Sequence, residues 1–223
     1  MMSSELDWAL IWQGTQETLW MVTISTFFAA LIGVPLGILL VVTDRGKFWE
    51  LIWLQKTLGF IVNVFRAVPF IVLILFLFPV SKWIVGTSLG TTAATIPLIA
   101  GAAPFFARMV ETAIREIDHG VVEAAEAMGA SPLTIIWRVF LPEAMPGIVS
   151  GLTVSCVSLI SYSAMAGMVG GGGLGDLALR YGFQMFNEKM LFICGILLVI
   201  FVQVVQAIGD FIARRLDKRN LPS

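Results

Sequence analysis

Long stretches without a single Asp, Glu, Lys or Arg dominate this chain: Thr18–Thr43 (26 residues), Trp83–Ala107 (25), Ala144–Gly175 (32) and Met190–Gly209 (20). A shorter run, Ala67–Ser81, extends toward Phe60 but is preceded by Arg66. A hydrocarbon core roughly 30 Å thick takes about 20 helical residues to cross. In lipid only helices and closed barrels satisfy the backbone, and runs of this length exclude strands. The chain is therefore expected to be an all-α, polytopic membrane protein with five transmembrane helices, at roughly 19–42, 58–80, 90–108, 146–169 and 190–212. Its 13% of charged residues is about half the roughly 25% of a soluble domain, too little polar surface to stay dissolved. The net charge of −1 gives no basis for a nucleic-acid partner.

Glu5, Asp7 and Glu17 precede or open the first run, with no Lys or Arg among them, so no cleavable signal is expected. Cys156 and Cys194 fall inside predicted spans and read as small apolar residues rather than a disulfide. Five spans sort the basic residues into two groups. Arg45, Lys47, Lys56, Arg66, Arg108, Arg115, Arg138, Arg214, Arg215, Lys218 and Arg219 fall on one side, and Lys82, Arg180 and Lys189 on the other. The positive-inside bias places the N-terminus outside and the C-terminus in the cytoplasm of a multi-pass inner-membrane protein. Residues 1–223 read as one transmembrane domain without internal repeats.

The longest inner connection, about 119–146, is the one compact polar insert. It reads as two short helices. Val121–Met128 forms the first, and Gly129 suits its left-handed end. Ser131 is placed as an N-cap with Pro132 at the first helical position. The second helix runs through Ile136 and Arg138 to Leu141, where Pro142 and Pro146 are expected to stop it. Small residues around the bend allow a partner's backbone to come close.

The spacing of Glu123-Ala124-Ala125, Gly129 and Val139-Phe140-Leu141-Pro142 resembles the EAA loop of ABC-importer permeases. Val139 stands where the family more often has Ile, a difference of one methylene. Further segments extend the resemblance to nearly the whole chain: Phe65-Arg-Ala-Val-Pro-Phe70, Ile84–Ser88, Ala107–Glu111, Ser161–Met165 and the GGGGLGDLALRY stretch Gly170–Tyr181. These are similar to the five-span permeases of methionine importers, of the type I importer fold. The resemblance implies that Glu123, Ala124, Ala125, Gly129 and Pro142 couple the permease to an ATPase. It also implies two permease copies, two ATP-binding cassette subunits carrying ATP and Mg, and an outer methionine-binding lipoprotein. A permease for another small solute, such as a polar amino acid, remains open, as does an ATP-independent channel or carrier.

The chain itself carries no GxxxxGK[ST] phosphate loop, so no cofactor and no catalytic residue is expected of it. Gly170–Gly175 matches GxGxxG by letter but follows a membrane helix rather than a strand. His119 has no partners at metal-ligand spacing, so no metal site is expected. Within the fourth span Ser155, Ser158 and Tyr162 stand at i, i+3 and i+7 and share a helix face. That face either packs against another helix or lines a solute pathway, to which Met165 would add a flexible apolar wall. Asp176 and Arg180, one helical turn apart, are candidates for docking the binding protein, or pair with each other. The glycines before them are expected to leave main-chain groups accessible. Arg66 starts about 21 Å of helix short of Val80, inside the inner boundary. It must snorkel or find a carboxylate, with Asp44, Glu50 and Glu111 as candidates.

Overall fold

The computed structural model describes residues 7–217; Lys218 and Arg219 of the charge count lie outside them. Helix α1 runs from Trp8 to Val42, so the first span begins well before residue 19. Asp7 sets its start by accepting the N–H groups of Ala9 and Leu10 at 3.0 and 3.3 Å, the usual work of an N-cap carboxylate.

The expected second span is not one helix. Helix α2 (Ile52–Ala67) and helix α3 (Phe70–Val85) meet at a bend of 110°. Pro69 lacks the N–H that a continuous helix requires, and its ring pushes Val68 out of helical geometry to φ −73°, ψ 125°. Among the described residues, four helices are long and apolar enough to cross a membrane, and a fifth if the bent pair is counted as one. Helix α4 spans Thr91–Arg115, α5 His119–Ala127 and α6 Pro132–Ile135.

The insert's second helix is not stopped by its prolines either. A π-turn, Ile136–Phe140, joins α6 to helix α7, Leu141–Ala166, in one continuous rod. The Leu141 N–H reaches back five residues to the Ile136 carbonyl. This wider turn is a local i→i+5 insertion. Pro142, in the first turn of α7, has no N–H to donate and follows closely on the widened turn. Pro146 lies inside α7 without ending it. An irregular turn, Gly167–Gly171, leads into the short α8 (Gly173–Leu177), then a wide turn over Ala178–Gln184 and helix α9, Glu188–Leu216.

Helix α4 is the spine of the bundle. Against α1 the two backbones nearly touch: a Cβ at Gly37 would lie 2.6 Å from the Ala107 carbonyl oxygen, and one at Gly33 2.8 Å from the Phe106 ring. Against α7 the same holds at Gly147, facing Ala113, and at Gly151, facing Met109. Lipid tails are as apolar as side chains, so membrane helices gain by close packing at small residues rather than by apolar burial alone. Helix α9 sits at the periphery and meets α7 where Gly209 faces Thr153.

Charge joins the helices at one end. Glu111, 4% exposed, accepts hydrogen bonds from Arg108 one turn before it and from Arg115 one turn after it. Arg108 also donates to Asn63 of α2 at 2.8 Å, and Arg115 to Asp44, just past α1, at 2.7 Å. Three elements are thereby tied through one buried carboxylate. The Arg115 hydrogen bond, more than the opposing effect of burial, holds the Asp44 carboxyl below the usual carboxylate range. Removing one member of such a network leaves the others as uncompensated charges. Glu111→Ala is expected to lower stability in detergent by about 3 kcal/mol. Glu111→Gln, which keeps an acceptor, should cost less. Denaturant unfolding of the two variants measures both, and equal wild-type-like midpoints would remove the network's structural role.

Candidate functional site

The bend between α5 and α6 is built as the sequence suggests. Gly129 ends α5 at φ +77° with open space around its Cβ position, a conformation in which only glycine is unstrained. Ser131 caps α6, its hydroxyl accepting the Thr134 N–H at 3.3 Å with Pro132 at the start. His119 is exposed at the start of α5 and lies 3.9 Å from Glu123.

One side of this bend is mounted and the other is free. Ala125, Ile135, Ile136 and Phe140 are buried among Val41 and Val42 of α1 and Phe106, Val110 and Ile114 of α4. Phe140 also packs on Phe48, ring centroids 6.0 Å apart. On the free side, Met128 is 82%, Trp137 69% and Leu133 56% exposed, and Glu123, Ala124 and Gly129 are exposed with them. Pro142 is exposed at the start of α7. An apolar knob held on a rigid base is what a partner's cleft requires, because little ordering remains to be done on binding.

The opposite end differs from expectation. The main chain of the glycine segment is not open. Glu17 of α1 accepts the Gly173 N–H at 2.7 Å and Thr18 accepts the Leu174 N–H at 2.9 Å. These are the first N–H groups of α8, which a helix leaves orphaned. Gly171, Gly173 and Gly175 are buried. A Cβ at Gly175 would lie 2.2 Å from the Ala164 carbonyl oxygen, so α8 folds back onto α7 backbone to backbone. Lipid offers no hydrogen bonds, so irregular backbone survives at membrane depth only inside protein. Glu17 and Thr18 were not singled out from sequence; a carboxylate and hydroxyl bordering a long apolar run, with a glycine cluster elsewhere, were the available signal. Asp176 and Arg180 pair with each other at 2.6 Å, with Arg180 57% exposed.

The α7 face divides. Ser155 is buried and donates to the Gly151 carbonyl, and Ser158 donates to the Val154 carbonyl. Both hydroxyls are spent on their own helix. Tyr162 instead stacks on Phe70 of α3, centroids 4.5 Å apart and planes at 8°. It lines a cavity of about 200 Å³ with Phe65, Arg66, Val68, Leu73, Gly101 and Phe105. Met165 packs beside the core around Leu98, Leu159 and Ala166. Arg66 does not use the carboxylates expected of it. Asp44 and Glu111 serve Arg115, and Glu50 accepts the Gly46 N–H. Its guanidinium lies over the Phe105 ring, 5.8 Å from the centroid.

Apolar helices of membrane length, closely packed around a spine and carrying a rigidly mounted exposed bend, define a membrane-embedded transport subunit. The chain belongs to the family of binding-protein-dependent transport system inner membrane components, whose model matches residues 33–221. It is 48% identical over 210 residues to the probable D-methionine transport system permease protein MetI of Vibrio cholerae, covering 94% of this chain and 93% of that one. It is 45% identical over 214 residues to the methionine import system permease protein MetP of Bacillus subtilis, covering 96% of each. A solved structure of inward-facing conformations of the MetNI methionine ABC transporter matches with a TM-score of 0.92 at 44% identity, covering 96% of this chain and 100% of that one.

The folded-back α8 gives a direct test. Gly175→Ala must push α7 and α8 apart and is expected to destabilise by about 2 kcal/mol. Gly59→Ala on α2 meets nothing within 4 Å and should be neutral or slightly stabilising. Thermal unfolding in detergent separates the two; equal midpoints would contradict the close approach.

Proposed function

We propose that the chain is the membrane-spanning permease subunit of an ATP-driven importer that moves methionine into the cytoplasm by alternating access. What carries this reading is the exposed bend on a helical bundle whose relatives, over more than nine-tenths of its length, are named as methionine transport permeases. The chain has no phosphate loop of its own, so the work comes from partner ATPase subunits that bind ATP and Mg. Each would receive one bend, with Met128, Leu133 and Trp137 entering its cleft beside Glu123, Ala124 and Gly129, while Ala125 packs the bend onto its base. Because Ile135, Ile136 and Phe140 fix the bend to α1 and α4, a push there moves the helices as a body, as in hinge and shear transitions.

A second copy of the chain completes the pathway, with Tyr162 and Met165 toward it and Ser155 and Ser158 in packing. The bent pair α2–α3 counts as one span in this reading, giving five. The N-terminus then lies outside, and the bend and C-terminus inside. Most basic residues flank the helix ends nearest the bend, which supports this orientation. A methionine-binding lipoprotein delivers solute at the opposite end, where Arg180 projects beside its partner Asp176. Exposed apolar side chains such as Phe76, Trp83 and Phe192 face lipid or the second copy.

The test is reconstitution of the permease with its ATPase and binding protein in liposomes, followed by labelled methionine uptake. Wild type should accumulate methionine only with ATP inside the reach of the ATPase. Gly129→Asp adds a charge at the docking surface. It should insert normally but lose at least about tenfold in uptake, as expected for an unpaired charge pressed into a partner. Full uptake and complex assembly in that variant would sink the docking role. At the other end, Arg180→Glu should lower binding-protein-stimulated ATP hydrolysis several-fold while basal hydrolysis stays as in wild type. Equal effects on both rates, or none, would remove Arg180 from the docking surface.

A further inference from the structure

Arg66 lines a pocket beside the α2–α3 break and belongs to the basic residues that no carboxylate holds. Arg108 and Arg115 are committed to Glu111, Asp44 and Asn63, and Arg180 to Asp176. Among the described residues no carboxylate lies within ion-pair distance of Arg66. Its guanidinium lies instead beside Phe105, toward the inner end of the charge-free run Trp83–Ala107 and about one turn before Arg108. A cation at that depth is costly unless it is paired or reaches a water-filled cavity. Such a space is present: a pocket of about 200 Å³, half open to the surface, lined from both sides of the α2–α3 break by Phe65, Arg66 and Phe70 and walled by Phe105 and Tyr162, with Arg66 itself exposed.

The break sets the local field. Helix α3 starts at Phe70 with no side-chain cap, and Phe70 itself lines the cavity. The positive end of a 16-residue helix thus adds to the charge of Arg66 rather than opposing it. Interrupted membrane helices whose ends meet charged solute groups are a recurring construction in transporters. The remaining walls are aromatic and aliphatic.

Building on the methionine-permease reading above, we propose that Arg66 is the residue that receives the carboxylate of the amino-acid solute on its way through the membrane, in the cavity between the α2–α3 break and Tyr162. The guanidinium presents paired donors to a carboxylate in a way an ammonium group does not. The rings of Phe65, Phe70 and Phe105 offer the apolar, sulfur-tolerant surface that a thioether side chain packs against. The guanidinium already lies over Phe105 and Phe70 over Tyr162, so the group the site offers a charged solute is Arg66 itself. This makes the site selective for a free carboxylate rather than for methionine's side chain alone.

The test uses the complete transporter in nanodiscs, with methionine and methioninol, whose hydroxymethyl group replaces the carboxylate, as probes. Wild type is expected to bind methionine about tenfold tighter than methioninol, the worth of one charge-assisted interaction. Arg66→Gln should bring that ratio to about one, and Arg66→Lys should leave it in between. A ratio unchanged in Arg66→Gln overturns the proposal, as does an equal loss for both probes, which is the mark of a merely structural role. Independently of any variant, methionine but not methioninol should protect Arg66 of the wild-type complex from phenylglyoxal, read by mass spectrometry. Equal protection by both, or by neither, also overturns it. Methionine uptake by the same wild-type complex keeps the two readings distinct. If uptake is intact while the ratio ignores Arg66, only this inference fails; if wild type takes up no methionine, the permease reading fails first.

Discussion

The approach of α1 to α4 is the constraint on which the remainder is hung. Gly33 and Gly37 bring the backbone of α1 within van der Waals reach of Ala103, Ala107 and Val110 on α4. No larger residue fits there, because the nearest atoms at Gly37 include a main-chain carbonyl that cannot rotate away. With α1 fixed on α4, the end of α1 comes within reach of Arg115, and the buried Glu111 can hold two arginines. A salt-bridge network of this kind contributes little by itself, since desolvation offsets much of the attraction. Its effect is positional: it sets which ends of α1, α2 and α4 lie together, and so where the bend is seated.

The same economy governs the irregular backbone. Two segments interrupt the apolar helices, the Val68–Pro69 break and the Gly167–Gly173 turn. The second is largely covered by protein, whereas at the first Val68 is half-buried and Pro69 exposed. The second is satisfied by Glu17 and Thr18 reaching across from α1. The first opens on a cavity lined by a guanidinium and aromatic rings. A stretch of free backbone or an uncapped helix end has no water to turn to in lipid, and a polar side chain or a solvated pocket is needed wherever the helix stops.

Much of this was legible in the sequence, and what was not has a common cause. Charge-free runs gave the membrane helices directly, because hydrocarbon imposes length and apolarity residue by residue. The bend was legible too, since Gly129, Ser131 and Pro132 act through local backbone preferences. The prolines were not. Pro35, Pro97, Pro104 and Pro146 lie inside continuous helices, whereas Pro69 separates two helices at 110°. All five remove the same N–H. What differs is whether both arms can find surface to pack on, and α2 and α3 both find α4. That is a tertiary fact without a local signature. The glycine segment misled for the same reason: four glycines permit an open loop, and equally a backbone packed against α7. Glu17, 156 residues away from Gly173, decides between them.

Helix α4 connects the two ends of the problem. Val110 and Ile114 help form the seat of the bend, and Phe105 forms the wall of the cavity beside Arg66. Phe105 and Ile114 are nine residues apart on one unbroken helix, about 14 Å along its axis. A displacement of the seat is therefore carried to the cavity wall without a flexible link between them. The opposite wall belongs to α2 and α3, which are joined to α4 by side-chain contacts and by the Arg108–Asn63 hydrogen bond. The two walls are thus held to each other by side chains rather than by shared backbone. Under the coupling role proposed for the bend, a rod on one side and a broken span on the other is an arrangement through which a push there would reach the space around Arg66.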